Sequence, residues 1–125
     1  MLFVGGSGNL NGSLPAQMHH ALVNVLGSLP FETVLYYGHN YTEKNLRWAQ
    51  VVEPLNVAIS TKLEYAKICN RDNVFIMSSI GSEKETNPFV RCSEPTVQQW
   101  AGCEDDPVKT LLAVRKGKDE WGKHN

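Results

Sequence analysis

Thr33-Val34-Leu35-Tyr36-Tyr37-Gly38-His39-Asn40-Tyr41-Thr42 is a β-branched and aromatic run that breaks at a glycine and carries a histidine into the turn before a helical pattern. That composition predicts a strand over residues 33–37. A strand fixes the direction of its last residue, so a side chain at its C-terminal lip points reproducibly into whatever lies above the sheet edge. His39 stands there. Imidazole is a versatile ligand and acid–base group near neutral pH, which makes His39 a candidate metal ligand. Tyr41, two residues on, can present its phenol to the same opening. A lone histidine in a turn is also an ordinary solvated residue, so the flanking sequence must decide between the two readings.

Upstream, Leu2-Phe3-Val4 reads as a strand broken by Gly5-Gly6, and residues 5–13 form a glycine-rich loop. A dinucleotide fingerprint starting at Gly6 would need glycine where Asn11 stands, and a P-loop lysine is missing, so the glycines are read as a close backbone turn. Ser13 can cap a helix with Pro15 in its first turn and Met18, Ala21, Leu22, Val25 and Leu26 on its packed face. His19 and His20 are neighbours on that helix, about 100° apart around the axis, and cannot face one metal together. Both are taken as surface residues. Strand, loop, helix, strand in this order belongs to a layered α/β architecture.

Downstream the pattern is helical. Thr42 or Asn40 can cap a helix reaching Glu53-Pro54, and a second runs from about Asn56 to Cys69. Residues 70–94 are polar and irregular, with a possible extended segment over 73–77 and a turn at Asn87-Pro88-Phe89. Pro95 opens a short helix, and Asp105 or Asp106 caps the last one. The last helix runs into Arg115-Lys116-Gly117-Lys118, the densest basic cluster of the chain. Two readings stay open: cations complementing a helix C-terminus, or a local site for a carboxylate.

Composition narrows the function classes. The chain has 125 residues, 42% hydrophobic and 20% charged, which suits a single domain with a core. A formal charge of -1 and a pI near 6.4 offer no general attraction to nucleic acid or to an anionic membrane, and no apolar run approaches membrane-helix length. Cys69, Cys92 and Cys103 are odd in number and widely spaced, fitting neither a disulfide framework nor a zinc pattern, so they are expected as reduced thiols of an intracellular protein. The abrupt opening in mid-strand suggests a piece of a longer protein or an alternative start.

Five motifs in order close the reading: Leu2-Phe3-Val4-Gly5-Gly6-Ser7-Gly8; Gly38-His39-Asn40-Tyr41-Thr42 with Asn45-Leu46; Val52-Glu53-Pro54; Asn87-Pro88-Phe89-Val90-Arg91; and Ala113-Val114-Arg115-Lys116-Gly117-Lys118-Asp119. Together they closely resemble the C-terminal half of glyoxalase II, the hydroxyacylglutathione hydrolases of the metallo-β-lactamase superfamily. The resemblance covers essentially the whole chain. It implies an α/β fold, with residues 1–54 as the C-terminal part of a metallo-β-lactamase-type αββα layer and residues 55–125 as a mainly helical glutathione-binding domain. It implies hydrolysis of S-D-lactoylglutathione to glutathione and D-lactate, in methylglyoxal detoxification, at a dinuclear site usually holding zinc, with iron or manganese possible.

Carried over residue by residue, His39 ligates one metal, while Tyr41, Arg115 and Lys118 contact the glutathione part of the substrate. Glutathione has two carboxylates, which a guanidinium and an ammonium are suited to hold. The expected partner is this small thioester alone, with no nucleic acid and no membrane, in a protein monomeric when complete. The expected compartment is the cytoplasm or the mitochondrial matrix.

Two departures qualify the expectation. The family's metal-bridging aspartate would precede Met1, Ser7 stands where a cysteine is usual, and Asn9 lies near a position that is usually basic. More importantly, the Thr-His-x-His-x-Asp-His motif is absent, and His19, His20 and His124 have no matching context. A catalytic zinc normally needs three protein ligands. This chain alone is therefore expected to be inactive, and no residue is assigned as catalytic. The alternative is a non-catalytic glutathione-binding module or a truncated isoform.

Overall fold

The computed structural model describes residues 1–125, and their backbone is mainly helical with one small sheet. Strand β1 (Leu2–Phe3) pairs antiparallel with β2 (Gly6–Ser7), Leu2 opposite Ser7 and Phe3 opposite Gly6. The expected loop thus begins later than the sequence suggested. Gly5 turns the chain with φ of 75°, a conformation that side chains disfavour.

Helix α1 (Pro15–His19) continues through a π-helical stretch (His20–Val25) and a 3-10 turn (Leu26–Ser28). It starts without help from Ser13, whose hydroxyl bonds back to Leu10 O, while Gln17 Oε1 accepts from Leu14 N at 2.9 Å.

Residues 33–37 correct the sequence reading, because they do not form a strand of a sheet. Only Val34 bridges, to Ser79, flanked by Leu35 N to Ser78 O and Ile80 N to Thr33 O, both at 2.9 Å. The pairing stops because its partner turns at once into α4 (Ile80–Thr86), capped by Ser79 Oγ on Ser82 N. The alternation survives without a ladder: Leu35 and Tyr37 pack inward, and Val34 and Tyr36 face out. Tyr37 also stacks on Phe75 with ring centroids 5.0 Å apart.

The other helices follow their caps. Helix α2 spans Thr42–Val52, with Asn40 Oδ1 accepting from Thr42 N. Helix α3 spans Val57–Arg71, capped by Asn56 on Ala58 N and Ile59 N. Helices α5 (Pro95–Ala101) and α6 (Pro107–Gly122) both open on proline, and Asp106 caps α6 through Lys109 N.

Two cores result. One joins Met18 and Leu22 to Trp48 and Val52 of α2, Phe89, Cys92, Val97, and Leu111 and Val114 of α6. The second joins Val4 and Leu46 to Leu63, Ala66 and Cys69 of α3 and to Ile76. Burial pushes the Cys92 thiol up to about 12, so it is an inert packing group.

Polar residues bind the layers. Lys62 Nζ, almost fully buried, donates to Glu83 Oε2 at 2.6 Å and to Ser78 and Ser82 Oγ at 2.8 Å. The other Glu83 oxygen accepts from Gly5 N and from Asn87 Nδ2, both at 2.9 Å, and Asn87 Nδ2 reaches Gly6 O. Arg91 forks onto Glu53 at 2.7 and 2.9 Å, beside the Thr96 hydroxyl. Burial would raise the Glu53 pKa, but the Arg91 and Thr96 hydrogen bonds outweigh it and hold the carboxyl below its ordinary value. This contribution to stability is present above the unfolded carboxylate pKa and is lost as pH falls through the folded one.

The glycine inside the basic cluster has a packing cause. A Cβ at Gly117 would lie 2.8 Å from Trp48 and 2.9 Å from Trp100 ring atoms. In an ordinary helix interior Gly→Ala gains up to ~1 kcal/mol, whereas overpacking costs ~1–3 kcal/mol. Gly117→Ala should therefore lower the urea midpoint rather than raise it. An increased midpoint would show that the ring cluster opens at little cost.

Candidate functional site

The start of α2 and the last two turns of α6 lie side by side, which places Tyr41 next to Arg115 and Lys118. With Lys44, Asp119 and Lys123 they line a cleft of about 340 Å³. Four cations face one carboxylate there, in a chain whose formal charge is -1. The sequence reading missed Lys44 and Lys123. Helical spacing held the signal, since Lys44 follows Tyr41 by three residues and Gly122 and Lys123 follow Arg115 by about two turns.

Helix α6 continues to Gly122, seven residues beyond Arg115, so the basic cluster lies in mid-helix. A dipole effect that fades within the last turn does not account for it. Arg115 is 9% exposed, and its Nη1 donates to Ser7 O at 3.1 Å and more weakly to Gly8 O. Its Nη2 donates to Asp119 Oδ1 at 2.6 Å, and its guanidinium lies 5.1 Å from the Phe89 ring centroid. Most of its donors are committed to the protein itself.

Lys118 is the freer cation, half-buried, with Nζ donating to Asn45 Oδ1 and lying 5.7 Å from the Phe89 ring centroid. Burial first, then the nearby Arg115 and Lys44 charges, push its pKa down to about 8, against the opposing pull of Asp119. Tyr41 is exposed, its ring edge on Phe3 at 5.5 Å.

His39 is exposed and stacks on Tyr41 with centroids 5.4 Å apart, tilted against Phe3. It borders a separate hollow of about 350 Å³ with Tyr37, Asn70 and Phe75. No group of three or more His, Cys, Asp or Glu side chains is arranged to hold a metal ion. Besides aromatic rings and amides the hollow beside His39 offers one thiol, Cys69, too few ligands for a zinc, iron or manganese site within this chain.

A larger hollow of about 790 Å³ lies between α2, α3 and α5, beside Leu55, Val57 and Trp100. Of its three ionic groups, Glu53 and Arg91 satisfy each other and Glu85 is exposed. No helix is long and apolar enough to cross a membrane.

Comparison with known sequences adds a family to this geometry. Residues 40–121 match the family described as hydroxyacylglutathione hydrolase C-terminus. The chain is 41% identical over 121 residues to the cytoplasmic hydroxyacylglutathione hydrolase of Arabidopsis thaliana, covering 96% of this chain and 46% of that protein. It is 40% identical to a probable hydroxyacylglutathione hydrolase of Schistosoma mansoni, covering 96% and 50%. It is 39% identical to the Pseudomonas aeruginosa (strain LESB58) hydroxyacylglutathione hydrolase, covering 96% and 48%. The chain spans about half the length of the curated relatives it matches. With the family match covering residues 40–121 and relatives about 40% identical over nearly the whole chain, this chain belongs to the hydroxyacylglutathione hydrolase C-terminus family.

Proposed function

We propose that this chain is the glutathione-binding portion of a metal-dependent thioester hydrolase acting on S-D-lactoylglutathione. The observation that supports it is the cleft in which Tyr41 and Lys118, far apart in sequence, face one opening backed by Arg115. A glutathione carboxylate suits Lys118 and Lys44, with the Tyr41 phenol as a neutral hydrogen-bond partner.

In this reading residues 1–54 belong to the metallo-β-lactamase-like half and residues 55–125 to the helical half, although both cores draw on both sides of that division. His39 supplies one ligand to a dinuclear zinc, iron or manganese site whose other ligands lie outside this sequence. The chain alone then binds glutathione without turning over its thioester. A cytoplasmic or mitochondrial setting and a monomeric complete enzyme accompany the proposal.

Calorimetric titration of the full 125-residue chain with glutathione tests it. Lys118→Met should weaken binding ~10- to 100-fold, the worth of one charge-assisted hydrogen bond. Affinity should also fall as pH rises through about 8, because deprotonation removes the cation. The fold does not weaken there through this group: a lysine depressed in the folded state makes folding more favourable as pH rises from that value towards the unfolded one. Absence of millimolar glutathione binding, or equal affinity in Lys118→Met, would overturn the reading.

A further inference from the structure

Of the cations in the cleft, Lys118 is held by an amide rather than by a carboxylate. Asn45, on α2, is 2% exposed, and its Oδ1 accepts from Lys118 Nζ. The same side chain donates from Nδ2 to Val4 O at 3.0 Å, so one amide joins α6, α2 and the β1–β2 hairpin. The hairpin closes tightly around it. A Cβ at Gly6 would come within 2.8 Å of Asn45 Cγ and 3.0 Å of Lys118 Nζ.

A lysine ammonium on its four-carbon stem samples many directions unless an acceptor fixes it. A carboxylate acceptor would fix it and cancel its charge. An amide oxygen orients the ammonium and leaves the full positive charge for a ligand. The Nδ2 bond to Val4 O sets which end of the amide faces Lys118, since a flipped amide would aim a donor at the cation and an acceptor at a carbonyl.

We propose that Asn45 is the positioning residue for the Lys118 ammonium, fixing it at the cleft with its charge free for an incoming carboxylate, in a placement that depends on the hairpin. The inference rests on the reading of the cleft as a glutathione carboxylate site. The titratable groups around the ammonium are Tyr41 and Lys44 from the start of α2 and Arg115, Asp119 and Lys123 from α6; the hairpin offers only backbone and the Ser7 hydroxyl.

The test has a ligand-free arm and a binding arm. In the full chain with 13C-labelled lysine, the Lys118 Cε signal, identified by its loss in Lys118→Arg, is followed against pH. The wild-type midpoint should lie near 8, and Asn45→Asp should move it upward into the ordinary lysine range. An unmoved midpoint would show that Asn45 does not touch the ammonium and would overturn the proposal. In the binding arm, Asn45→Ala should weaken glutathione binding about tenfold in the wild-type background and leave it unchanged in the Lys118→Met background. Equal loss in both backgrounds would mean that Asn45 acts only by tying down the hairpin. If the wild-type chain binds no glutathione, the functional reading falls, and the Lys118 titration still decides the role of Asn45. It decides likewise if Asn45→Ala fails to fold.

Discussion

Glu83→Gln should lower the unfolding free energy by ~3–5 kcal/mol, the cost of removing one partner from a buried ion pair. Glu83 is 1% exposed and serves both ends of its carboxylate: Lys62 and Ser78 on one oxygen, Gly5 N and Asn87 on the other. Every one of these partners is a donor to Glu83. A glutamine presents one oxygen and one NH₂ to them, so one side meets a donor facing a donor, and the Lys62 charge loses its countercharge. The melting temperature should fall by roughly 10 °C or more. Adding Lys62→Met to Glu83→Gln should recover part of the loss, because it removes the uncompensated ammonium while the glutamine oxygen can still accept from Gly5 N and Asn87. A single-variant loss below ~1 kcal/mol would mean that the ammonium finds water and that the pair is not the tie between α3, α4 and the hairpin.

Arg115→Ala should also be destabilising, on the order of 2–4 kcal/mol, and this matters for any experiment on binding. The substitution strands the carbonyl of the buried Ser7 and removes the cation from the Phe89 face. Asp119 loses its partner harmlessly, since its side chain is 54% exposed. Arg115→Lys should recover little, because an ammonium cannot reproduce the guanidinium fork that spans Ser7 O and Asp119 together. A lost glutathione signal in Arg115→Ala would then report a displaced hairpin as readily as a missing ligand contact. Lys118→Met separates the two, with its effect in affinity and little in the melt. If instead Arg115→Ala melts like wild type and binds weakly, Arg115 is a ligand contact and its backbone bonds are incidental.

What the sequence made legible was the helices that advertise their ends. The helix expected from about Asn56 starts there, Asp106 caps as one of the two aspartates offered, and Pro95 and Pro107 stand at first positions. Helix α4 was illegible because its buried residues include Glu83 and Thr86, so no apolar stripe betrays it. Lys62 hid for the same reason, a lysine at a core position of α3 that reads as solvated until its acceptors are in place. The stretch 33–37 had the composition of a strand, but pairing needs a partner of equal length, and residues 78–80 are too few. At the cleft, Tyr41, Arg115 and Lys118 came from the family resemblance. Asn45 stood in a quoted motif without a role, because an amide declares its function only through what it bridges.

The ring cluster that forbids a side chain at Gly117 has an optical consequence. Trp48, Trp100 and Trp121 are all the tryptophans of the chain, and both other rings lie within 6 Å of Trp48, at 5.4 and 5.8 Å between centroids. Tryptophan emission, excited selectively over tyrosine, therefore comes from one spot, where α2, α5 and α6 meet. It reports the docking of those helices, and neither the hairpin nor residues 33–37 carries an indole, their aromatic groups being phenylalanine and tyrosine. A fluorescence trace of this protein is a record of one junction, and a native-looking emission spectrum is compatible with a cleft whose hairpin wall has already come away.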